Sequence, residues 1–211
     1  MNSVVRKLLS ELEEFGLSND QGTEDQIQRM LNITRDTGEF LSVLVRATNA
    51  QQVLEIGTSN GYSTLWLADA CSAIGGNVTT VELSEQKFKM AQQNFKRSDL
   101  SSFIKQILAN AGDVLSELED NAFDLIFLDS ERTDYPAWWS DIKRVVRPGG
   151  LLVVDNAISH SDEIAPFISL VEEDSNFTTS IVPVGKGEYL ATKSIEYFST
   201  GSNSFGSYHG E

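Results

Sequence analysis

Two acids and two glycines are set around two apolar runs in the first half of the chain. Residues 53–63 read Val-Leu-Glu-Ile-Gly-Thr-Ser-Asn-Gly-Tyr-Ser, so Glu55 lies in a short apolar segment that Gly57 and Gly61 follow. Glu82, about 25 residues after Gly57, ends the β-rich run of residues 77–81. A strand, a glycine turn, a helix and a second strand ending in an acid are the elements with which α/β proteins bind an adenosine group.

The glycine spacing distinguishes among the adenosine cofactors. Dinucleotide-binding turns follow G-x-G-x-x-G, but Ser59 and Tyr62 occupy the second and third glycine positions counted from Gly57. A P-loop is excluded because no Gly-Lys-Ser/Thr follows. The remaining features suit a ligand with a ribose and an ammonium-bearing tail but no phosphate, such as S-adenosylmethionine. Alternatively, the glycines only shape a tight connection and Glu55 is a solvated strand end.

Oxygen-bearing side chains follow two later apolar runs. Asp129 comes directly after residues 123–128, and Asp155 and Asn156 come after residues 151–154. We expect these runs to be neighbouring parallel strands, which would bring the three side chains to one edge of a sheet. Such an oxygen set favours Mg²⁺, Mn²⁺ or Ca²⁺ over Zn²⁺. The alternative is that these acids cap the following helices and hold no metal.

The elements that position these side chains alternate along the chain. Helical periodicity is interrupted by short apolar runs, and the last two runs read as an antiparallel hairpin. This order predicts an α/β doubly wound, Rossmann-like sheet of seven strands, mostly parallel, with helices on both faces. The predicted strands are 53–56, 78–82, 103–108, 123–128, 151–154, 177–183 and 189–193; the predicted helices are 2–15, a segment capped by Thr23 that carries Ile27, Met30 and Leu31, 37–48, 63–72, 84–97, 114–118, one ending at 147–150, and 163–172.

Length and composition indicate one globular domain. The 211 residues are 40% apolar, and we expect N-terminal helices over 1–50, an α/β core over 51–193 and a loosely ordered tail over 194–211. The net charge of −15 disfavours nucleic acid as a partner. No apolar run approaches the ~20 residues of a membrane span, and the N-terminus does not resemble a signal peptide. The single cysteine, Cys71, is expected to be a buried thiol of a cytoplasmic protein.

Several of these segments together resemble a known family. The turn Gly-Thr-Ser-Asn-Gly-Tyr-Ser at 57–63, Glu82, Asp129, Arg147-Pro-Gly-Gly150 and the pair Asp155-Asn156 are similar to the cation-dependent class I O-methyltransferases, a group that includes caffeoyl-CoA and catechol O-methyltransferases. The resemblance covers about residues 30–193 and implies methyl transfer from S-adenosylmethionine to a hydroxyl of a small, catechol-like or vicinal-diol acceptor, with a divalent cation. It also suggests a homodimer.

The resemblance assigns roles to individual residues. A first group is expected to contact S-adenosylmethionine, either its methionine part, its ribose or its adenine, or to cover it: Asn32, Ile33, Glu55, Gly57, Ser59, Ser63, Glu82, Gly112, Asp113 and Asp129. A second group is expected to hold the cation: Asp129, Asp155 and Asn156. Aromatic residues after the first metal aspartate could wall the acceptor or pack onto the sheet: Tyr135, Trp138 and Trp139.

One position departs from the family pattern. Arg132 stands where the family has a lysine that accepts the phenolic proton, and a guanidinium has no acceptor atom. We expect Arg132 to stabilise an oxyanion by its charge, and we expect the proton to leave both by metal-assisted release to water and through His160 as the base. The third outcome is that activity on catechol-like acceptors is lost. Arg132 could also be a surface residue paired with Glu131 or Asp134, and His160 a solvated loop residue. The rival functions are metal-independent methyl transfer to a small molecule or a protein, and a catalytically silent S-adenosylmethionine-binding protein.

Overall fold

The computed structural model describes residues 1–25 and 28–195, which form seven helices and seven strands with short 3₁₀ turns. The helices are α1 (Ser3–Gly22), α2 (Arg35–Ala47), α3 (Tyr62–Ser72), α4 (Glu85–Ser98), α5 (Ala111–Glu117), α6 (Tyr135–Val145) and α7 (Ser161–Glu172). The strands are β1 (Gln52–Ile56), β2 (Asn77–Glu82), β3 (Ile104–Leu108), β4 (Phe123–Leu128), β5 (Val146–Val154), β6 (Phe177–Val182) and β7 (Glu188–Lys193).

The strands form one sheet in the order β3-β2-β1-β4-β5-β7-β6. The first five strands are parallel to their neighbours, and the hairpin of β6 and β7 adds antiparallel to β5. The chain leaves β1 toward one side and returns through β4 on the other, so the switch point lies between β1 and β4. The predicted fold class is confirmed, including the antiparallel hairpin.

Two apolar clusters cover the two faces of the sheet. Alternate residues of a strand belong to different clusters: Val53 packs with α1, α2 and α3, whereas Leu54 packs with α6 and α7. In β4, Phe127 and Leu128 divide in the same way. Burial of both faces explains why the central strands read as continuous apolar runs in the sequence.

The N-terminal helix is longer than the sequence predicts. α1 continues through the proposed break at 16–22 and ends at Thr23, which is its C-cap and not the start of another helix. Gly16 lies where a Cβ would collide with the Asn32 side chain, whose amide donates to the Leu12 carbonyl oxygen (3.0 Å). This glycine therefore serves close packing and does not interrupt the helix.

The segment after α1 also differs from its prediction. Met30 and Leu31 are in no helix, because their backbone N–H groups donate to the Asp20 carboxylate (2.7 and 2.9 Å) and Leu31 has a φ of 50°. Ile27 lies outside the described residues. The local pattern of acids after Thr23 resembled a helix start, but these hydrogen bonds hold an irregular segment instead.

The helix predicted to end at residues 147–150 ends at Val145. Residues 147–150 lie inside β5, because Val146 already pairs with Phe123 and Arg147 forms an ion pair with Asp124 (2.5 Å). The predicted loose tail lies outside the described residues apart from its first two, 194 and 195. Within the described residues, no helix has both the length and the apolar character required to cross a membrane.

Candidate active site

The carboxyl ends of β1, β4 and β5 are aligned by backbone hydrogen bonds. Gly57 N–H donates to the Val81 carbonyl, Asp129 N–H to Ile56 and Asp155 N–H to Leu128, at 3.0, 3.0 and 3.1 Å. The residues that leave these strands therefore lie side by side at one edge of the sheet. The sequence prediction that Asp129 and Asp155 share this edge with the glycine turn is met by this alignment.

The glycine turn approaches Asp129 closely. Gly57 has a φ of 104°, and a Cβ there would overlap the Asp129 carbonyl oxygen. Gly61 has a φ of 88° and lies against the Phe95 ring, so a Cβ would collide there as well. Both positions thus combine a left-handed backbone with a close approach, which only glycine allows.

Glu55 is fully buried beneath this turn. Ser63 donates to its Oε1 (2.6 Å), and Thr64 and Thr80 donate to its Oε2 (2.5 and 2.6 Å). Desolvation outweighs these hydrogen bonds and raises the pKa of Glu55 to about 7. Glu55 is therefore not the solvated strand end that we considered; it ties β1 to α3 and β2. Its predicted contact with the methionine part of the cofactor stays a prediction. Of the three donors, Ser63 is the one that lines the cleft.

Glu82 accepts hydrogen bonds from two backbone N–H groups, one of them in the glycine turn. Its Oε2 accepts from Ser59 N–H (2.8 Å) and its Oε1 from Ser84 N–H (2.7 Å). Ser59 has a φ of 48°, and its hydroxyl donates to the Met30 carbonyl oxygen (2.8 Å). The carboxylate thus ends β2 beside the turn, at the place where the sequence predicts a ribose-binding acid.

The segment after α1 covers the glycine turn. A narrow cleft lies between the two, and Asp129 lines it together with Asn32, Ile33, Gly57, Ser59 and Ser63. Six predicted cofactor residues therefore meet in a single cleft, and one of them, Asp129, is also a predicted metal ligand.

Gly112 and Asp113 lie in the first turn of α5. Asn110 caps this helix by accepting from Gly112 N–H (2.8 Å), and a Cβ at Gly112 would contact Trp138 Nε1 (2.9 Å). Asp113 is exposed. The structure thus places Trp138 beside Gly112, and its predicted role in an acceptor wall stays a prediction.

Asp129 and Asp155 interact unfavourably. Desolvation, the Asp155 charge and the Glu55 charge, in that order, raise the pKa of Asp129 well above its ordinary value. Asn156 follows in a left-handed conformation with a φ of 69°; its Nδ2 donates to Asp155 Oδ2 (2.6 Å) and its Oδ1 accepts from Ser159 (3.2 Å). In this orientation the amide nitrogen, not the oxygen, faces Asp155.

Within residues 1–25 and 28–195, no group of three or more His, Cys, Asp and Glu side chains is arranged as a metal site. The predicted set has two acids and an amide, so the cation stays a prediction. Its chemistry fits a hard cation, because the two carboxylates offer only oxygen ligands and the repulsion between Asp129 and Asp155 is what a positive charge would relieve. Asn156 would add its amide oxygen only after its side chain turns, because its nitrogen now faces Asp155.

Comparison with known proteins identifies the family. A family model described as O-methyltransferase matches residues 5–194. The chain belongs to the O-methyltransferase family. A relative from Mycobacterium sp. (strain JLS), named as an O-methyltransferase, is 32% identical over 174 residues, 76% of this chain and 79% of the relative. A protein from Niastella koreensis named catechol O-methyltransferase is 35% identical over 131 residues, 61% of this chain and 59% of that protein.

A solved structure shares both fold and sequence. The O-methyltransferase from Bacillus cereus, determined in complex with SAH, superposes with a TM-score of 0.75 and 26% identity, covering 89% of this chain and 90% of that one. The family and the enzyme class predicted from the sequence are therefore confirmed. The individual site residues, the cation and the acceptor stay predictions for this O-methyltransferase.

Arg132 forms an ion pair with a residue that the sequence analysis did not predict as its partner. It lies in a 3₁₀ turn before α6, and its guanidinium donates to Glu163 Oε2 of α7 (2.8 Å). Glu131 instead accepts from Thr133 (3.1 Å). Arg132 is thus paired, but with neither of the acids considered for it. Its positive charge is near enough to Asp129 to oppose the rise in that residue's pKa.

His160 lies beyond the proposed metal ligands, at the start of α7. Its N–H donates to the Asn156 carbonyl (2.9 Å), and its Nδ1 is hydrogen-bonded to Ser159 Oγ (2.8 Å). His160 is a half-buried residue of the turn before α7, and its hydrogen bond to Ser159 is exposed to solvent. Its role as the base stays a prediction.

Two charged residues of the hairpin were missed as site residues. Glu188 begins β7 fully buried and accepts from Thr37 (3.0 Å); burial and the neighbouring Asp155 raise its pKa to about 10. Lys186, in the hairpin turn, is near enough to Asp129 for its charge to act there. The antiparallel addition of β7 to β5 was the available signal, because it brings the start of β7 beside the end of β5.

The other aromatic residues and the cysteine belong to the core. Tyr135 and Trp139 are buried against Phe167, with ring centroids 5.6 and 5.8 Å away. The packing alternative is therefore right for these two. Cys71 is fully buried, as predicted, and burial raises the pKa of its thiol to about 12.

Proposed function

We propose that this O-methyltransferase moves the methyl group of S-adenosylmethionine to a hydroxyl of a small acceptor with two adjacent oxygens, such as a catechol. The observation that carries this proposal is that Asp129 lines the same cleft as the glycine turn. A methyl donor bound against the turn would present its methyl group toward the acids at the strand ends.

The cofactor would be held by groups already in place. Glu82 has the charge and position to accept from the ribose hydroxyls, and Ser59 and Ser63 line the methionine side of the cleft. Residues 30–33 would cover the bound molecule. The structure of the Bacillus cereus relative in complex with SAH supports this assignment by family.

Asp129, Asp155 and Asn156 are the side chains that would hold a divalent cation. When bound, the cation would supply positive charge to two adjacent acceptor oxygens and lower the pKa of one hydroxyl. The chain itself positions the reactants: the acceptor O–H proton leaves to water, the oxygen forms a bond to the methyl carbon, and the carbon–sulfur bond breaks. The sulfonium becomes a neutral thioether, so charge and atoms balance.

The small acceptor is supported by the family and by the relative named catechol O-methyltransferase. The net charge of −15 makes a polyanionic partner unfavourable. We propose a homodimer, in line with the family resemblance. We also propose a cytoplasmic location, which the single free thiol supports.

The role of the cation is tested by chelation and by one substitution. Turnover of catechol with S-adenosylmethionine and Mg²⁺ is expected to stop with EDTA, and Asp155→Ala is expected to lower kcat/KM at least about 100-fold. Calorimetric titration with Mg²⁺ should show binding to the wild type and none to Asp155→Ala. Turnover that neither EDTA nor Asp155→Ala affects would contradict the proposed cation.

A second candidate is methyl transfer without a metal. The observation that favours it is the pair of positive side chains, Lys186 and Arg132, whose charges already act on Asp129. In that case the two cationic groups would stabilise the acceptor oxygen, and chelator-insensitive turnover would be the result.

A further inference from the structure

At the position where the family has a lysine, this protein has Arg132, which cannot take over the role of a base. Arg132 carries a guanidinium, which has no atom that can accept a proton. Its Nε and Nη2 are both directed to Glu163 Oε2 at 2.8 Å, and the Arg132 side chain is only 20% exposed. A cationic group that contacts the acceptor hydroxyl must therefore belong to another residue, unless Arg132 first breaks its ion pair with Glu163.

The hairpin turn brings a lysine to the same edge of the sheet. The Lys186 carbonyl accepts from Ile158 N–H (3.2 Å) and Ser159 N–H (3.0 Å), and the Gly187 carbonyl accepts from Ala157 N–H (2.8 Å). These donors belong to the loop that directly follows Asp155 and Asn156. A Cβ at Gly187 would overlap Ile158, so the turn and the loop are in close contact.

The other side of the turn is held as well. Gly185, with a φ of 57°, donates its N–H to Asp36 Oδ2 of α2 (3.0 Å). Two glycines with positive φ thus flank Lys186, and hydrogen bonds fix the backbone on both sides. The lysine is presented by a rigid turn, which a group that contacts a reactant requires.

The ammonium group of Lys186 is available for a ligand. Among the described residues, no carboxylate lies within 4.0 Å of it and no hydrogen bond of its side chain is formed, although the chain has a net charge of −15. Its side chain is half buried.

We propose that Lys186, presented by the β6–β7 turn, is the cationic catalytic residue that contacts the acceptor hydroxyl, in place of the lysine that Arg132 replaces. This inference rests on the proposed O-methyl transfer. The Lys186 ammonium donates a hydrogen bond to the acceptor oxygen and stabilises its negative charge as the O–H proton passes to water. The oxygen then attacks the methyl carbon, and the thioether leaves.

Substitution of Lys186 tests this role directly. With catechol as acceptor, Lys186→Met is expected to lower kcat about 100-fold or more while the calorimetric Kd for S-adenosylhomocysteine stays within twofold of wild type. Lys186→Arg, which keeps the charge, is expected to have a kcat about tenfold higher than that of Lys186→Met. Arg132→Met should lose less than tenfold, and Lys105→Met, an exposed lysine on β3, serves as the control for charge alone.

A binding measurement adds a readout that does not depend on turnover. The absorbance of 4-nitrocatechol reports its ionisation, so the wild type should bind it as the phenolate and Lys186→Met should bind a larger neutral fraction at the same pH. Lys186→Gln replaces Lys186→Met if the latter fails to bind S-adenosylhomocysteine.

The outcomes separate this inference from the proposed function. A wild type that turns over catechol together with a Lys186→Met variant of equal kcat, or a larger loss in Arg132→Met than in Lys186→Met, would overturn the role of Lys186 and leave O-methyl transfer intact. A wild type that transfers no methyl group to any vicinal diol would overturn the proposed function and the inference with it.

Discussion

Gly57 and Asp129 are in such close contact that the first has no room for a side chain. The Gly57 backbone, at a φ of 104°, passes directly against the Asp129 carbonyl oxygen. Because Gly57 begins the turn and Asp129 directly follows β4, this contact fixes the glycine turn against the strand ends that carry the acids.

Substitution of Gly57 should therefore lower the stability of the fold by more than the strain of its left-handed backbone alone would. Gly57→Ala is expected to lower the free energy of unfolding by at least twice as much as Gly75→Ala. Gly75 also has a positive φ (74°) but has open space around it, so its loss should be roughly 1–2 kcal/mol. Urea denaturation measures both, and equal losses would show that the contact with Asp129 is unimportant.

Glu82 is expected to contribute to cofactor affinity through its charge. Glu82→Gln removes a charged acceptor from the ribose hydroxyls and should raise the calorimetric Kd for S-adenosylmethionine about tenfold, which corresponds to roughly 1.4 kcal/mol. Glu85→Gln, three residues later and exposed, is the matched control. A Kd for Glu82→Gln within twofold of the control would argue against ribose binding by this residue.

Glu55 should make the stability of the wild type depend on pH. Its pKa is raised from 4.5 to about 7 in the folded protein, so the folded state binds the proton more tightly than the unfolded state. The contribution is fully present below pH 4.5 and is lost as the pH rises through about 7. The loss is expected to reach up to about 3 kcal/mol.

Glu55→Gln mimics the protonated carboxyl and should remove this dependence. Urea denaturation between pH 5 and 8 is expected to give a flatter profile for Glu55→Gln than for the wild type, whereas Glu173→Gln, an exposed control, should keep the wild-type slope. Parallel profiles for the wild type and Glu55→Gln would mean that the buried carboxyl is ionised throughout.

The sequence predicts the central part of this fold well because its signals are local. The strand over 123–128 has the predicted bounds, and the acids at 129 and 155 follow buried strands, so their common edge could be inferred from strand order. The glycine turn could be interpreted because its backbone conformation requires particular residue types.

The parts that were missed depend on contacts between distant segments. α1 passes through Gly16 because Asn32 fills the space beside it, and the irregular segment after α1 is held by Asp20. Likewise, Lys186 and Glu188 reach the site only because the hairpin adds to β5 in antiparallel orientation. No local pattern in the hairpin sequence indicates that its turn returns to the strand ends.

Transfer of an isotopically labelled methyl group tests the central claim most directly. The wild-type enzyme, incubated with S-adenosylmethionine labelled at the methyl carbon, Mg²⁺ and a panel of catechols and vicinal diols, is expected to place the label on one hydroxyl oxygen of at least one acceptor. Phenols with a single hydroxyl should accept it far more slowly. Calorimetric binding of S-adenosylmethionine without label in any hydroxyl acceptor would contradict the assignment of this chain as an active catechol-type O-methyltransferase.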